Sequence, residues 1–378
     1  MSTLTDIYRG QNNIDFPKLW RKALAVSAIL VLISLLAFAV RGFNLGIDFE
    51  GGTSFEVKAP GVSVSEARDF LGDFDAADSK VQIVDGDTLR IRSDIEDPAA
   101  AQMLRTELAD LGEVTGFESV GPTWGEEITQ KALRALVFFF IAIAAYISVR
   151  LDWRMAVGAL VAVVHDLIIS VGAYSLFQIE VTPATVIAFL TIMGYSLYDT
   201  IVVYDKVREI SSRVGATGKY TYTEMMNLAL NHVVMRTINT TITSVLPVLS
   251  MLVIGSLILG AVTLQEFAIA LLIGLVVGGY SSIFVASVLV AWLKEREPRH
   301  REVRERLEAK GVLVGTRTVS TDDARLGATP RRPVRAKTTG STAATEQKPQ
   351  KRADDKPPAD RPAPTGAIPP RPRKKKKR

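Results

Sequence analysis

The sequence predicts an α-helical membrane protein with six transmembrane helices and an extracytoplasmic α+β domain between spans 1 and 2. Three observations predict it. Six apolar stretches reach the roughly 20 residues that a bilayer core demands. Lys and Arg gather at alternate span ends. Residues 44–128 form an acidic insertion, six Lys/Arg against nineteen Asp/Glu, in which strand and helix patterns alternate. The net charge of +5 over 378 residues conceals this, because 294–378 carry twenty-five Lys/Arg against eleven Asp/Glu.

The chain opens with a cytoplasmic N-terminus at 1–22, followed by span 1 at 23–41. Its apolar run, Leu24–Val40, is flanked by Arg21, Lys22 and Arg41. No small-x-small cleavage site follows, so it reads as an anchor and not a cleaved signal. Spans 2 to 6 are expected at 131–150, 155–177, 181–204, 237–259 and 266–293, with a cytoplasmic loop at 205–236. Arg9, Lys18, Arg150, Arg154, Lys206, Arg208, Arg213, Lys219, Arg236, Lys294 and Arg296 all fall on one side if both termini are cytoplasmic. That assigns a multi-pass protein of the cell inner (cytoplasmic) membrane. The segment 42–130 and the short connections near 178–182 and 260–265 then face outward.

Within the outward segment, Thr53–Lys58 alternates as a strand, and Val64–Phe74 reads as a helix capped by Ser63 or Ser65. Lys80–Val84 and Thr88–Arg92 form strands joined by Asp85-Gly86-Asp87, a tight-turn sequence. A second helix, Pro98–Leu111, starts on Pro and stops at Gly112, and Glu113–Val120 is a last strand. The order β-α-β-β-α-β is the ferredoxin-like split arrangement. A small α+β domain that only caps the membrane part fits the same pattern, and the segment holds no catalytic constellation.

The tail, 294–378, is rich in Pro, Ala, Thr, Arg and Lys and ends in a run of Lys and Arg. Such a segment buries too little apolar surface to offset its chain entropy, so a disordered basic cytoplasmic tail is expected, apart from a short charged helix near Arg299–Lys310. Its closing run suits contact with anionic lipid or ribosomal RNA, and equally a solubilising tail that reinforces orientation. The 205–236 loop contains an amphipathic stretch near Tyr222–Val234. Gly215–Tyr220 falls two residues short of a phosphate loop and lacks a Ser/Thr after Lys219, so no ATP site is expected. With no cysteine, and three histidines (His165, His232, His300) lacking ligand spacing, neither a metal site nor a cofactor is expected. His232 reads as an ordinary interfacial residue.

Ionisable groups inside spans are costly and point to function. Asp166 lies about twelve residues beyond Arg154, near mid-bilayer and beside His165. Asp199 lies in the cytoplasmic half of span 4, with Tyr195 and Ser196 on its helix face and Thr200 next to it. Arg236 opens span 5, and Asn239, Thr240 and Thr243 continue a polar stripe. Desolvation disfavours a charged carboxylate and a nearby cation restores it, so a site alternating between these conditions loads and releases a proton. Asp199 with Arg236 is therefore a candidate proton-coupling pair, and Asp166 a further candidate. Tyr195, Ser196, Thr200, Asn239 and Thr240 are the supporting polar groups. Static helix glue is the competing reading, evenly balanced for Asp166. Gly274 and Gly278 have the small-xxx-small spacing of close helix packing.

Six motifs occur in order. They are Gly46-Ile47-Asp48-Phe49-Glu50-Gly51-Gly52; Gly121-Pro122-Thr123 through Gly125-Glu126-Glu127; and His165-Asp166. The others are Gly194–Thr200 running into Tyr204–Glu209, Arg236–Thr240, and Tyr280-Ser281-Ser282-Ile283-Phe284. On them the chain, over roughly 17–295, resembles the SecF family, within the resistance-nodulation-division superfamily. The resemblance implies a six-span subunit, not an enzyme, that pairs with SecD into a twelve-span unit. It implies association with the SecYEG channel, with YajC and SecA as further associates. It also implies use of the proton motive force to promote late-stage preprotein translocation. Asp199 and Arg236 match family positions implicated in proton flow, and Asp166 matches a recurrent position of open role. The alternatives are half of a proton-driven small-solute exporter of the same superfamily and a translocase scaffold that moves no protons. An intramembrane aspartyl protease fits poorly, because no Gly-x-Gly-Asp accompanies Tyr204-Asp205.

Overall fold

The structure, a computed structural model, describes residues 14–315 except 75, 77, 85, 259, 260 and 313. Most of the basic tail, the first half of the N-terminal segment, Asp85 of the tight turn and the expected end of span 5 lie outside the described residues.

Helix α1, Phe16–Arg41, enters on Pro17 and ends at Gly42, whose φ is +64°. It begins seven residues before the expected span. Phe16 and Trp20 are buried, and the N–H groups of Ile14 and Phe16 bond to the side chains of Asn231 and Asn227. A two-residue strand, β1 (Asn44–Leu45), and a helical turn, α2 (Ile47–Glu50), lead into the α+β domain.

That domain runs β2 (Gly52–Lys58), α3 (Val64–Gly72), β3 (Lys80–Val84), β4 (Thr88–Ser93), α4 (Pro98–Leu111) and β5 (Glu113–Val120). The strands lie in the order β3-β4-β2-β5 with every neighbour antiparallel, so β2 and β3 are separated by β4. This is the split βαβ arrangement. Ser63 caps α3 in a capping box with Glu66, and Asp97 accepts from the N–H groups of Ala99 and Ala100 to start α4. The period-2 alternation of strands sends Phe55, Val57, Leu89 and Ile91 into one core with Ala67, Leu71, Leu104 and Leu108 of the helices. It sends Glu56, Arg90 and Arg92 to the opposite face.

The long helices follow as α5 (Pro122–Arg150), α6 (Trp153–Phe177), α7 (Pro183–Val214), α8 (Tyr222–Ser250) and α9 (Val262–Ser281). A π-helical segment, Met251–Ile258, extends α8, and a π-helical turn, Ser282–Ala286, joins α9 to α10 (Ser287–Glu295). Six of these helical stretches are long and apolar enough to cross a membrane. Helices α6, α7 and α9 form the packed centre, whereas α1, α5 and the later half of α8 present mostly exposed side chains.

The loop expected at 205–236 is short. Helix α7 continues to Val214, a 3-10 turn occupies Gly215–Thr217, and α8 starts at Tyr222 under a Thr221–Glu224 capping box. The amphipathic stretch at 222–234 is therefore the first half of α8. It buries Met225, Met226, Ala229 and Leu230 against Tyr204, Val207 and Ile210 of α7. After α10, the charged segment forms α11, Pro298–Ala309.

Candidate functional site

Four helices bring the polar residues of the bundle together. Asp166, on α6, is 1% exposed and sits where α6, α7 and α9 cross. Its Oδ2 accepts Ser196 Oγ of α7 at 2.5 Å and Ser281 Oγ of α9 at 2.7 Å, while its Oδ1 lies 3.0 Å from His165 Nδ1. Beside it, Thr200 and Ser282 share a hydrogen bond of 2.9 Å, and Ser282 Oγ reaches the carbonyls of Gly278 and Ser196. Ser281 and Ser282 occupy the junction of α9 and its π-helical turn, a backbone irregularity common at functional sites.

Such close polar contact needs the helices to approach without side chains between them. A Cβ at Gly278 would lie 2.8 Å from Ser196 Cβ, and one at Gly274 would collide with the Ile192 side chain. Glycine at both positions lets α9 press against α7 at the level where Ser196 meets Asp166.

Asp199 is placed differently. It is 3% exposed, and its buried Oδ1 has no hydrogen-bond partner among the described residues. Ser196, expected to support Asp199, instead donates to Asp166, because residues three apart on α7 diverge enough to face different neighbours. Arg236 does not pair with Asp199 either. Its Nη2 donates to Tyr198 Oη at 2.9 Å, and its guanidinium stands 5.8 Å from that ring's centroid. Among the described residues no ion pair joins Asp199 and Arg236. Tyr195 Oη hydrogen-bonds Ser244 Oγ of α8, and Thr240 turns its hydroxyl back to the carbonyl of Arg236. Asn239 is exposed on the outer face of α8, beside the exposed Arg236 and Thr243.

Sequence reasoning missed Ser281, Ser282, Tyr198 and Ser244 as site groups. The signal for the serines was present, since two adjacent hydroxyls in an apolar span after Gly278 demand buried partners.

A second polar cluster joins the α+β domain to the bundle. The strand β6 (Glu180–Val181), in the α6–α7 connection, pairs parallel with β1. Arg90 Nη1 donates to Glu180 at 3.0 Å and to Glu266 of α9 at 2.9 Å, and its Nη2 donates to Glu56 at 3.2 Å. Arg92 donates to the Leu45 carbonyl and to Asn44 Oδ1, both at 2.7 Å, and lies 3.3 Å from Glu180. Burial opposes the Arg90 charge, but the carboxylates of Glu180, Glu266 and Glu56 outweigh it and hold the guanidinium above its ordinary value. Asp48 lines the same cleft, and burial together with Glu118 and Glu180 holds its carboxyl above the usual range. Among the described residues no group of His, Asp and Glu is arranged to hold a metal ion.

Comparison with known proteins gives a consistent result. Residues 102–296 match the family described as protein export membrane protein SecD/SecF, C-terminal, and residues 36–59 match the SecD/SecF GG motif. The protein translocase subunit SecF of Streptomyces coelicolor is 37% identical over 80% of this chain and 83% of its own length. The SecF of Mycobacterium tuberculosis is 36% identical over 85% of this chain and 77% of its own. A crystal structure of SecDF from Thermus thermophilus, titled a translocon-associated membrane protein, superposes with a TM-score of 0.69 at 32% identity. That match covers 76% of this chain but only 39% of the SecDF chain.

Proposed function

The chain belongs to the SecD/SecF family of protein export membrane proteins, and from that premise we propose that it is a proton-coupled subunit of the Sec export machinery. In this reading it forms one half of a pseudo-symmetric unit completed by SecD. The unit works beside the SecYEG channel, with YajC and SecA as associates, and uses the proton motive force to promote late-stage movement of a preprotein. Both termini lie in the cytoplasm and the α+β domain faces outward. The SecDF chain of Thermus thermophilus, of which this chain spans about two-fifths, supports a second half supplied by another polypeptide.

The observation that carries the reading is the contrast between two buried aspartates. Asp166 is saturated with donors and ties three helices together. Among the described residues Asp199 has a buried oxygen with no partner, one helix away from a cation held only by a tyrosine. An unpartnered carboxylate in apolar surroundings is costly to keep charged, so its charge state is sensitive to any approach of Arg236. Protonation and deprotonation of Asp199 would then alternate its pairing with Arg236 and shift α8 against α7.

The test replaces Asp199 with Asn and follows late-stage translocation of a secreted precursor into membrane vesicles, with and without a proton gradient. Subunit level and SecD association are measured in the same preparation. Loss of the gradient-dependent component with the complex intact is expected. Unchanged translocation would reduce Asp199 to helix packing and leave the scaffold reading in its place.

A further inference from the structure

At the end of the bundle opposite the α+β domain, three helix N-termini converge on a cavity of about 180 Å³. Helix α6 starts there after Asp152, α8 after Thr221 and α11 after Glu297. Asp152 makes no side-chain cap bond to α6, so no cap covers the first-turn N–H groups of that helix, whereas α11 starts on Pro298 and its His300 N–H already bonds to the Glu297 carbonyl. The helix dipoles add positive potential at the same point.

The side chains carry both signs, with one positive charge in excess. Arg208, Lys294 and Arg299 line the cavity, facing two carboxylates, Asp152 and Glu297. Both carboxylates are already engaged: Lys294 lies 3.1 Å from Asp152 and 3.0 Å from Glu297, and Arg154 also binds Glu297. Among the described residues Arg208 reaches only the Arg150 carbonyl, at 3.4 Å, and Arg299 has no ion pair. Burial holds His300, also in the lining, below its ordinary value and so keeps it uncharged at neutral pH.

The observation that points to a ligand is Tyr222. It is 2% exposed and lines the cavity, and among the described residues its hydroxyl has no hydrogen-bond partner. The other two fully buried tyrosines are satisfied, Tyr174 by the Glu266 carbonyl and Tyr204 by the Ala286 carbonyl. A buried donor left open beside two guanidinium groups without an ion pair and one uncapped helix start leaves donors in excess of the two engaged carboxylates.

We propose that this cavity binds a phosphate group, presented by the headgroup of an anionic phospholipid or by a soluble phosphate, through Tyr222, Arg208, Arg299 and the start of α6. A phosphate offers only acceptors and suits guanidinium forks. The site shares no residue with the proton-coupling reading and stands or falls apart from it.

The test uses the full-length chain in detergent and in lipid nanodiscs. Melting is followed against inorganic phosphate and against chloride at matched ionic strength, and retention of phosphatidylglycerol over phosphatidylcholine is followed by native mass spectrometry. Tyr222→Phe and the double variant Arg208→Gln/Arg299→Gln are compared with Arg213→Gln/Lys310→Gln, which removes equal charge outside the cavity. The double variant is expected to weaken binding at least about tenfold, the weight of one hydrogen bond to a charged group. Tyr222→Phe is expected to weaken it severalfold, and the control pair to leave it unchanged. A saturable response to inorganic phosphate supports the proposal with a soluble phosphate as ligand. Selective retention of phosphatidylglycerol alone supports it with a lipid headgroup. No saturable response to either, or equal losses in the cavity and control variants, overturns it. A Tyr222→Phe chain that melts higher and keeps its full phosphate response overturns it as well.

Discussion

Arg90 serves three carboxylates at the boundary between the α+β domain and the bundle, while Asp48, in the same cleft, receives no side-chain donor among the described residues. Both groups are held above their ordinary values, so both lose stability as pH rises, Asp48 in the acid range and Arg90 only under strongly alkaline conditions. Asp48 is held above its ordinary value by burial and by Glu118 and Glu180, so the folded state binds its proton more tightly than the unfolded chain does. Stability is then lost as pH rises from the unfolded carboxylate value through the raised folded one, and the penalty is complete at neutral pH. Asp48→Asn removes a charge that folding disfavours. It is expected to raise the melting temperature at pH 7 by on the order of 2 °C, and to lose that advantage as the pH approaches 4. A variant that melts lower than the parent at pH 7 would show that the Asp48 charge is wanted where it sits. Asp166 marks the opposite case, a buried carboxylate whose donors come from three different helices and which the fold has fully provided for.

At the scale of elements, the approach of α9 to α7 is fixed by Gly274 and Gly278. Valine at 278 would drive its Cβ toward Ser196 and displace a donor from Asp166, adding overpacking of about 1–3 kcal/mol to the lost hydrogen bond. Gly278→Val is expected to lower the melting temperature by about 5 °C. Gly194→Val, also in a transmembrane helix but with no neighbour within 4 Å of its new Cβ, is expected to leave it nearly unchanged. Equal losses at both positions would mean that the effect is not one of helix approach. The glycine spacing was legible in the sequence because close packing writes a local pattern. So were the spans and the β-α-β-β-α-β order, since periodicity and caps such as Ser63, Asp97 and Gly112 act over a few residues. The boundary of the 205–236 loop was not, because the charges of Lys206, Arg208 and Arg213 mark an end of the membrane, not an end of a helix, and α7 runs on past it. The β1–β6 pairing joins two-residue strands far apart in the chain, and nothing local announces it. The Arg90 cluster lay half visible: Leu89-Arg90-Ile91-Arg92 puts both arginines on the face away from the core, but their partners come from α9 and the α6–α7 connection. The bond from Ser196 to Asp166 was not legible for a similar reason, since spacing on one helix is local and the identity of the facing helix is not.

Over the whole molecule the polar face of α8 from Arg236 to Thr243 is the least satisfied among the described residues, with Tyr198 as its one hydrogen-bonding contact from another helix. Arg236 is held only by Tyr198, Asn239 is exposed, and Thr240 and Thr243 fold their hydroxyls back onto their own helix. In a lipid environment each polar side chain on that face is unfavourable, and an arginine costs about 2.5–3.5 kcal/mol at a helix centre, less toward an end. Burial is uneven in the same direction: α6, α7 and α9 are packed on several sides, whereas α8 beyond Thr237 is covered on one side only. A bundle with this asymmetry gains most by covering α8 with a second bundle whose facing helix carries acceptors. The proposed partner is SecD, and the consequence is specific to position. With Asn239 replaced by a photoreactive phenylalanine analogue, irradiation of membranes containing both subunits is expected to give an adduct of the combined mass of the chain and SecD. The same analogue at Leu32, exposed on the apolar face of α1, is expected to give lipid adducts instead. Lipid adducts alone at 239 would show that α8 faces the bilayer, and the polar stripe would then need water or a bent bilayer to satisfy it. A SecD adduct at 239 would put Arg236 at the junction of the two halves, where movement of one half against the other changes its distance from Asp199.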